Sequence, residues 1–203
     1  DIDFCPERAL DLAIIENSNS VISTYFFLIN TEFYNLNAKI NQKIIKKIIN
    51  LGHEVGLHFD ASLYTNKNDL IAGCKREISA LEKIISKNVY IISFHRPSKN
   101  ILNLENSLSG INHTYMKKFT KDIEYCSDSQ GKWRFKRPQE IISKNENNEF
   151  FNLQLLTHPI WWTTPARLSP AEKVDFHLKK KYSYINKLAA FNCKPYLKYL
   201  KLK

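Results

Sequence analysis

The feature that most constrains this chain is an alternation. Short β-branched and aromatic runs are followed by longer stretches whose apolar residues recur three and four positions apart. Residues 23–29 (STYFFLI), 53–58 and 89–94 read as buried strands. Between them, residues 6–17, 38–51 and 69–86 read as amphipathic helices. The first opens on Pro6, suited to an initial helical position, and turns Ala9, Leu10, Ala13 and Ile14 inward. The second carries Ile40, Ile44, Ile45 and Ile48 on one face and stops at Gly52. The third turns Ile71, Cys74, Ile78, Leu81 and Ile85 inward. Strands that alternate with helices imply a parallel sheet, open or closed, in an α/β fold. After residue 100 the pattern loosens. Residues 123–126 and 153–157 still read as strands, and 169–190 as a helix capped by Ser169 with Pro170 behind it.

The chain has 203 residues, 43% of them apolar, which suits one domain with one sizeable core. Its net charge of +10 fits a solvated Lys-rich surface, an anionic glycan or an anionic membrane face. Nucleic acid is not expected, because no arginine-rich groove with interleaved aromatics appears. Cys5, Cys74, Cys126 and Cys193 form no CxxC pair, which excludes a zinc ribbon and points to a reduced, cytoplasmic setting. Asp1 rather than Met opens the chain, so it starts inside something longer or has been processed, and export stays open. No apolar run approaches the ~18 residues of a membrane span. The oligomeric state is not legible.

In parallel α/β folds the chemistry gathers at the C-terminal ends of strands. Five such positions here carry residues fit for metal ligation or proton transfer: Asp3 near the start, His58 with Asp60, His95 with Arg96, Asp128, and His158. Hydrolysis of an amide or ester needs an activated water and a stabilised oxyanion. A divalent metal supplies both, lowering the pKa of bound water from about 15.7 to about 7. Such a site takes about three protein ligands, with mixed His/carboxylate sets suiting zinc. It also needs a base for the water and an acid for the leaving amine. Asp1 and Asp3 stand two apart on an extended segment and so face the same side. His53 lies five residues before His58, on the opposite face of a regular strand, and reads as structural.

The opening DID, GHEVGLHFD (residues 52–60), FHRPS (94–98), YCSDSQGKW (125–133) and LLTHPIWW (155–162) stand in the order of the polysaccharide-deacetylase motifs. On these motifs the chain resembles that superfamily, and in particular the deacetylase-like proteins of bacterial surface-polysaccharide loci. The resemblance implies a distorted (β/α) barrel of about seven parallel strands, N-terminally incomplete here. It implies one such domain over residues 1–203, with a basic helical extension over about 169–203. It also implies Asp1 as base, Asp3 and His58 as metal ligands, Arg96 with Asp128 as organisers of the site, and His158 as acid. The family's second motif repeats a metal histidine four residues after the first, where this chain has Ser62. A related group of chitooligosaccharide deacetylases draws a ligand from a later strand, and GLHFD followed by SFHRPS resembles that arrangement. His95 is therefore expected as the third ligand, with Asp60 in its place or loss of the metal as alternatives.

The implied activity is zinc-dependent release of an N-acetyl group from a sugar, with Arg96 held by Asp128. Trp161 and Trp162, read as neighbours on a strand, are expected to divide between core and sugar floor. His113 and His177 are expected at the surface. Two other readings stand beside this one. The chain could be a carbohydrate-binding relative that has lost its metal, or an amidohydrolase of a small non-sugar amide.

Overall fold

The computed structural model describes residues 1–134, 136–145 and 151–201. They form two compact units, Asp1–Thr163 and Thr164–Lys203; Leu202 and Lys203 lie outside the described residues.

The first unit runs α1 (Pro6–Ser18), β1 (Thr24–Leu28), α2 (Lys39–Asn50), β2 (Glu54–Phe59), α3 (Lys67–Ile85) and β3 (Ile91–Phe94). It continues with α4 (Lys99–Leu102), β4 (Asn112–His113), α5 (Lys117–Thr120), β5 (Glu124–Ser127), α6 (Pro138–Lys144), β6 (Leu153–Leu156) and α7 (Pro159–Trp162). The expected alternation is present and the strands are parallel, in the order β1-β2-β3-β4, with a separate parallel pair β5-β6. Of the expected barrel of about seven strands, the described residues show this four-plus-two arrangement of parallel strands. A closed barrel needs an unbroken ladder. Here β4 is only two residues long, and no strand ladder joins the two sheets among the described residues, although hydrogen bonds link them. Asp1 N donates to the Thr157 carbonyl at 2.7 Å, and the Gln154 amide donates to the Thr114 carbonyl at 3.0 Å.

The core lies where the helices cover the sheet. Phe27, Phe59 and Phe94 are fully buried with Ile45, Ile48, Leu57, Leu81 and Ile92; each large side chain removed from water contributes about 1.5–3 kcal/mol. Ile14 and Ile40, expected inward, sit at the edges of their helical stripes and are about half exposed. Gly56 stands where β1, β2 and β3 crowd. A Cβ there would lie 2.5 Å from the Phe26 ring and 2.8 Å from the Ile91 carbonyl oxygen.

The second unit is two helices, α8 (Pro170–Asn192) and α9 (Lys194–Lys201). Ser169 caps α8 with Pro170 behind it, as the sequence predicts, and Glu172 completes a capping box.

Candidate active site

Register and alternation assemble the site. Side chains in a strand alternate between faces, and in-register partners of a parallel pair share a face. Val55, Leu57 and Phe59 take the core face of β2, which leaves His58 on the other. His58 pairs with Ser93 in β3, and His95, two residues on, lies on the same side. On the other flank Ile2 bridges to Phe27, with Ile2 N donating to the Phe26 carbonyl at 3.0 Å. Buried Ile2 thus fixes Asp1 and Asp3 on the face of His58. Tyr34 locks this segment: its hydroxyl donates to the Ile2 carbonyl at 2.7 Å and accepts the Leu28 N–H at 2.8 Å. Burial drives that phenol's pKa well above its ordinary value.

Three ligand atoms converge as a result. Asp3 Oδ1 lies 3.1 Å from His58 Nε2 and 3.2 Å from His95 Nδ1, and the two ring nitrogens are 3.1 Å apart. Asp3, His58 and His95 are the one such cluster among the described residues. His58 Nδ1 lies 3.0 Å from the Ser93 carbonyl, which accepts its proton and turns the Nε2 lone pair toward Asp3. A carboxylate oxygen and two imidazole lone pairs at this spacing repel one another unless a cation stands among them or the rings take extra protons. Tetrahedral ligands at about 2.1 Å from a zinc ion lie roughly 3.4 Å apart, so the triangle fits a divalent metal. Burial alone raises the proton affinity of Asp3. Its hydrogen bonds with His58 and His95, together with the charge of His58 and His158, outweigh that effect and hold the carboxyl well below the usual range.

His158 enters from the end of β6. Its Nδ1 lies 2.6 Å from Asp128 Oδ1, and its backbone N–H donates to Asp128 Oδ2 at 2.9 Å. The Trp162 indole N–H also donates to that oxygen, at 2.7 Å. Nδ1–H being so engaged, Nε2 is left toward the cleft, 3.8 Å from Asp3 Oδ2. Asp1 sits on the Nδ1 side of His58, with Oδ2 at 3.8 Å. That oxygen accepts the Ser93 hydroxyl at 3.0 Å, while buried Oδ1 has no partner among the described residues. Asp1, Asp3, His58, His95 and His158 line one cleft of about 1160 Å³, with Arg96, Tyr115, Tyr125, Ser127 and Arg134 among its other walls.

Several expectations change in detail. Arg96 is not held by Asp128. It donates to Asp60 Oδ2 at 3.0 Å from a left-handed backbone (φ 45°), while Asp60 Oδ1 accepts the N–H and hydroxyl of Ser62. Asp60, weighed as a ligand, is thereby outside the triangle. Trp161 and Trp162 lie on the short helix α7 rather than a strand, because Pro159 starts a helical turn. Neither is among the cleft walls. Trp162 anchors Asp128 and meets Trp133 at 5.4 Å between ring centroids. His113, expected at the surface, is fully buried, with Nε2 on the Asn106 carbonyl at 2.8 Å; His177 is half-buried. His53 serves structure, accepting the Ser23 N–H at Nδ1 and meeting the Ala13 carbonyl at Nε2. The sequence reading missed Ser93, whose signal was the one hydroxyl in an otherwise apolar strand, and Tyr115, which carried none.

No family model and no curated protein matches the chain. Among solved structures it is similar to a mutant of a CE4 family pseudoenzyme with restored enzymatic activity, at 15% identity over 91% of this chain and 61% of that one, TM-score 0.44. It is also similar to a Bacillus subtilis peptidoglycan deacetylase, at 13% identity over 88% and 80% of the two chains, TM-score 0.47. A third likeness is to the chitin deacetylase of the fungal pathogen Colletotrichum lindemuthianum, at 18% identity over 87% and 76%, TM-score 0.46. The chain thus spans less than two thirds of the length of the first of these. At such identities its chemistry has to be argued from its own residues.

Proposed function

We propose that this chain removes an N-acetyl group from a sugar or polysaccharide precursor. The observation that carries the reading is the triangle of Asp3, His58 and His95, with a paired histidine on one side and an unpartnered buried carboxylate oxygen on the other. A divalent metal bound there would lower the pKa of water and polarise the substrate carbonyl. Asp3, His58 and His95 would hold it. Asp1 Oδ1, the oxygen with no partner, accepts the proton of the attacking water. His158, its Nδ1 fixed by Asp128, presents Nε2 to protonate the departing nitrogen, because an amide anion is too poor a leaving group to depart unprotonated. Arg96 stands at the rim, braced by Asp60, in position to orient a substrate.

The size of the cleft favours a sugar chain over a small amide, since it exceeds the roughly 300–1,000 Å³ that holds a typical small ligand. The test is acetate release from N-acetylated glucosamine oligomers by protein of measured metal content, before and after chelation and zinc return. Activity that tracks metal is expected; full metal with no acetate from any N-acetyl sugar would overturn the reading. Asp1→Asn is expected to keep the metal and lose most turnover. Loss of metal from that variant would reassign Asp1 to orienting His58, whose Nδ1 edge it faces.

A further inference from the structure

The charge of this chain is unevenly placed. Residues 164–203 contain ten Lys or Arg against two Asp or Glu, so the second unit carries +8 of the net +10. Nine of the ten cations are lysines. The long helix α8 is also unusual in what it exposes. Leu178, Tyr182 and Ile185 are 43–67% exposed and stand at i, i+4, i+7. Tyr184, Leu188 and Phe191 repeat that spacing at 43–87% exposure. At 3.6 residues per turn these two ridges flank Lys181 and together span about half of the helix, while Lys179, Lys180 and Lys187 fall on the other half. Solvent does not favour six large apolar side chains gathered on one half of a helix, and a single lysine among them can carry its charge outward on its long stem; such groupings mark interaction sites.

We infer that α8 is a surface anchor that lies in the headgroup layer of an anionic lipid bilayer. Charge complementarity selects the partner, and the apolar band selects its kind. A helix with most of its lysines on one half and exposed Tyr, Phe, Leu and Ile flanking Lys181 on the other matches an interfacial helix, which buries its apolar side chains at the headgroup boundary while its cations meet anionic lipid. A nucleic acid would use the lysines and leave the apolar band in water. No described helix is long and apolar enough to cross a membrane, so the contact is peripheral. The inference is independent of the deacetylase reading, and it would hold the chain at a surface whatever the cleft does.

The experiment is co-sedimentation of the full chain with phosphatidylcholine vesicles, with and without phosphatidylglycerol. Partition at least about tenfold stronger on the anionic vesicles is expected, weakening as salt rises. Lys179→Gln/Lys180→Gln/Lys187→Gln should lose roughly tenfold or more on the anionic vesicles. Leu188→Ala/Phe191→Ala should lose several-fold, with helicity by circular dichroism unchanged. If the triple variant misfolds, the salt dependence of the unaltered chain still decides the electrostatic part. No partition, or equal partition on both vesicles, overturns the inference. So does binding that ignores Leu188→Ala/Phe191→Ala and is competed away by duplex DNA. A dimer in lipid-free solution that Phe191→Ala dissolves would assign the band to a second copy of the chain instead.

Discussion

The two sides of the cleft are fixed by different means. On the side of Asp3, His58 and His95, backbone ladders place the functional groups: the β1-β2-β3 register and the single bridge at Ile2 decide which way each side chain points. On the side of His158, side chains do that work, since three donors from His158 and Trp162 converge on Asp128 at the end of a two-stranded sheet. A ladder is specified by strand pattern, and pattern can be read along a sequence. Convergence on one carboxylate depends on which residues meet in space, and no local pattern announces it. The ladder side should therefore fail through loss of the metal, and the other side through loss of proton transfer with the metal retained.

The largest expected effect is on the ladder side. His95→Ala should release the metal as fully as His58→Ala, with turnover falling by more than the about 10–100-fold typical of losing a supporting residue. Metal analysis beside acetate release checks this. Asp60→Ala should keep the metal, because both of its oxygens are taken by Ser62 and Arg96. Full metal in His95→Ala would break the comparison, since the ladder would then have delivered His95 to a place without function.

Next comes the side-chain cluster. His158→Ala should cost roughly 10²–10⁴-fold on an N-acetyl sugar and much less on an activated aryl acetate, whose leaving group needs no proton. Metal content should not change. Asp128→Ala added to His158→Ala should cost little more than His158→Ala alone, because residues that act as a unit are not additive. Independent, multiplying losses would show that Asp128 has a task of its own.

What was legible along the chain follows the same division. The alternation of strands and helices and the parallel pairing follow from periodicity of two and 3.6, and the spacing of Asp1 and Asp3 gave their common face; the choice of His58 and His95 beside Asp3 rested on their places at strand ends and on the resemblance of the motifs. The departure at Ser62 was visible as well, and the structure gives it a local meaning: its hydroxyl and N–H hold Asp60. The partners of the charged groups were not legible. Arg96 and Asp128 both suit a role in the site, but chain order could not show that β3 ends beside Asp60 while Asp128 ends beside His158. Nor was the strand count legible, because β4 is two residues long and carries no pattern. The helical start at Pro159 reversed the reading of the paired tryptophans, since a four-residue helix and a short strand look alike in PIWW.

A smaller effect tests how much the ladder side owes to its edge. Tyr34→Phe removes the donor to the Ile2 carbonyl and the acceptor of the Leu28 N–H. Each backbone group left buried and unpaired costs about 1–3 kcal/mol. Denaturant unfolding should show that loss, and metal affinity should fall with it, because Asp3 follows Ile2. Lost stability with unchanged metal affinity would mean that the bridge to Phe27 positions Asp3 without help from the tyrosine.

The smallest expected effect compares two buried carboxylates. Both oxygens of Asp128 accept hydrogen bonds. In Glu77, on α3, Oε1 accepts from Asn30 and from the Tyr64 hydroxyl, both at 2.7 Å, while Oε2 is buried with no partner among the described residues. Burial is the main reason that the Glu77 pKa is raised, with Asp60 adding to it against the hydrogen bonds of Tyr64 and Asn30. The sign follows from linkage. A carboxyl that holds its proton more tightly folded than unfolded costs stability once the pH exceeds the unfolded pKa, and the cost is complete above the folded one. At low pH both states are protonated and the cost is gone. Glu77→Gln keeps an acceptor for Asn30 and Tyr64 without a charge. It should stabilise the protein by the order of 1 kcal/mol at neutral pH, with the gain shrinking as the pH falls toward the ordinary glutamate range. Thermal unfolding of both proteins across that range measures it. A gain independent of pH would mean that packing, not charge, separates them, and a loss at neutral pH would mean that Oε2 meets a partner in solution, making Glu77 as fully satisfied as Asp128.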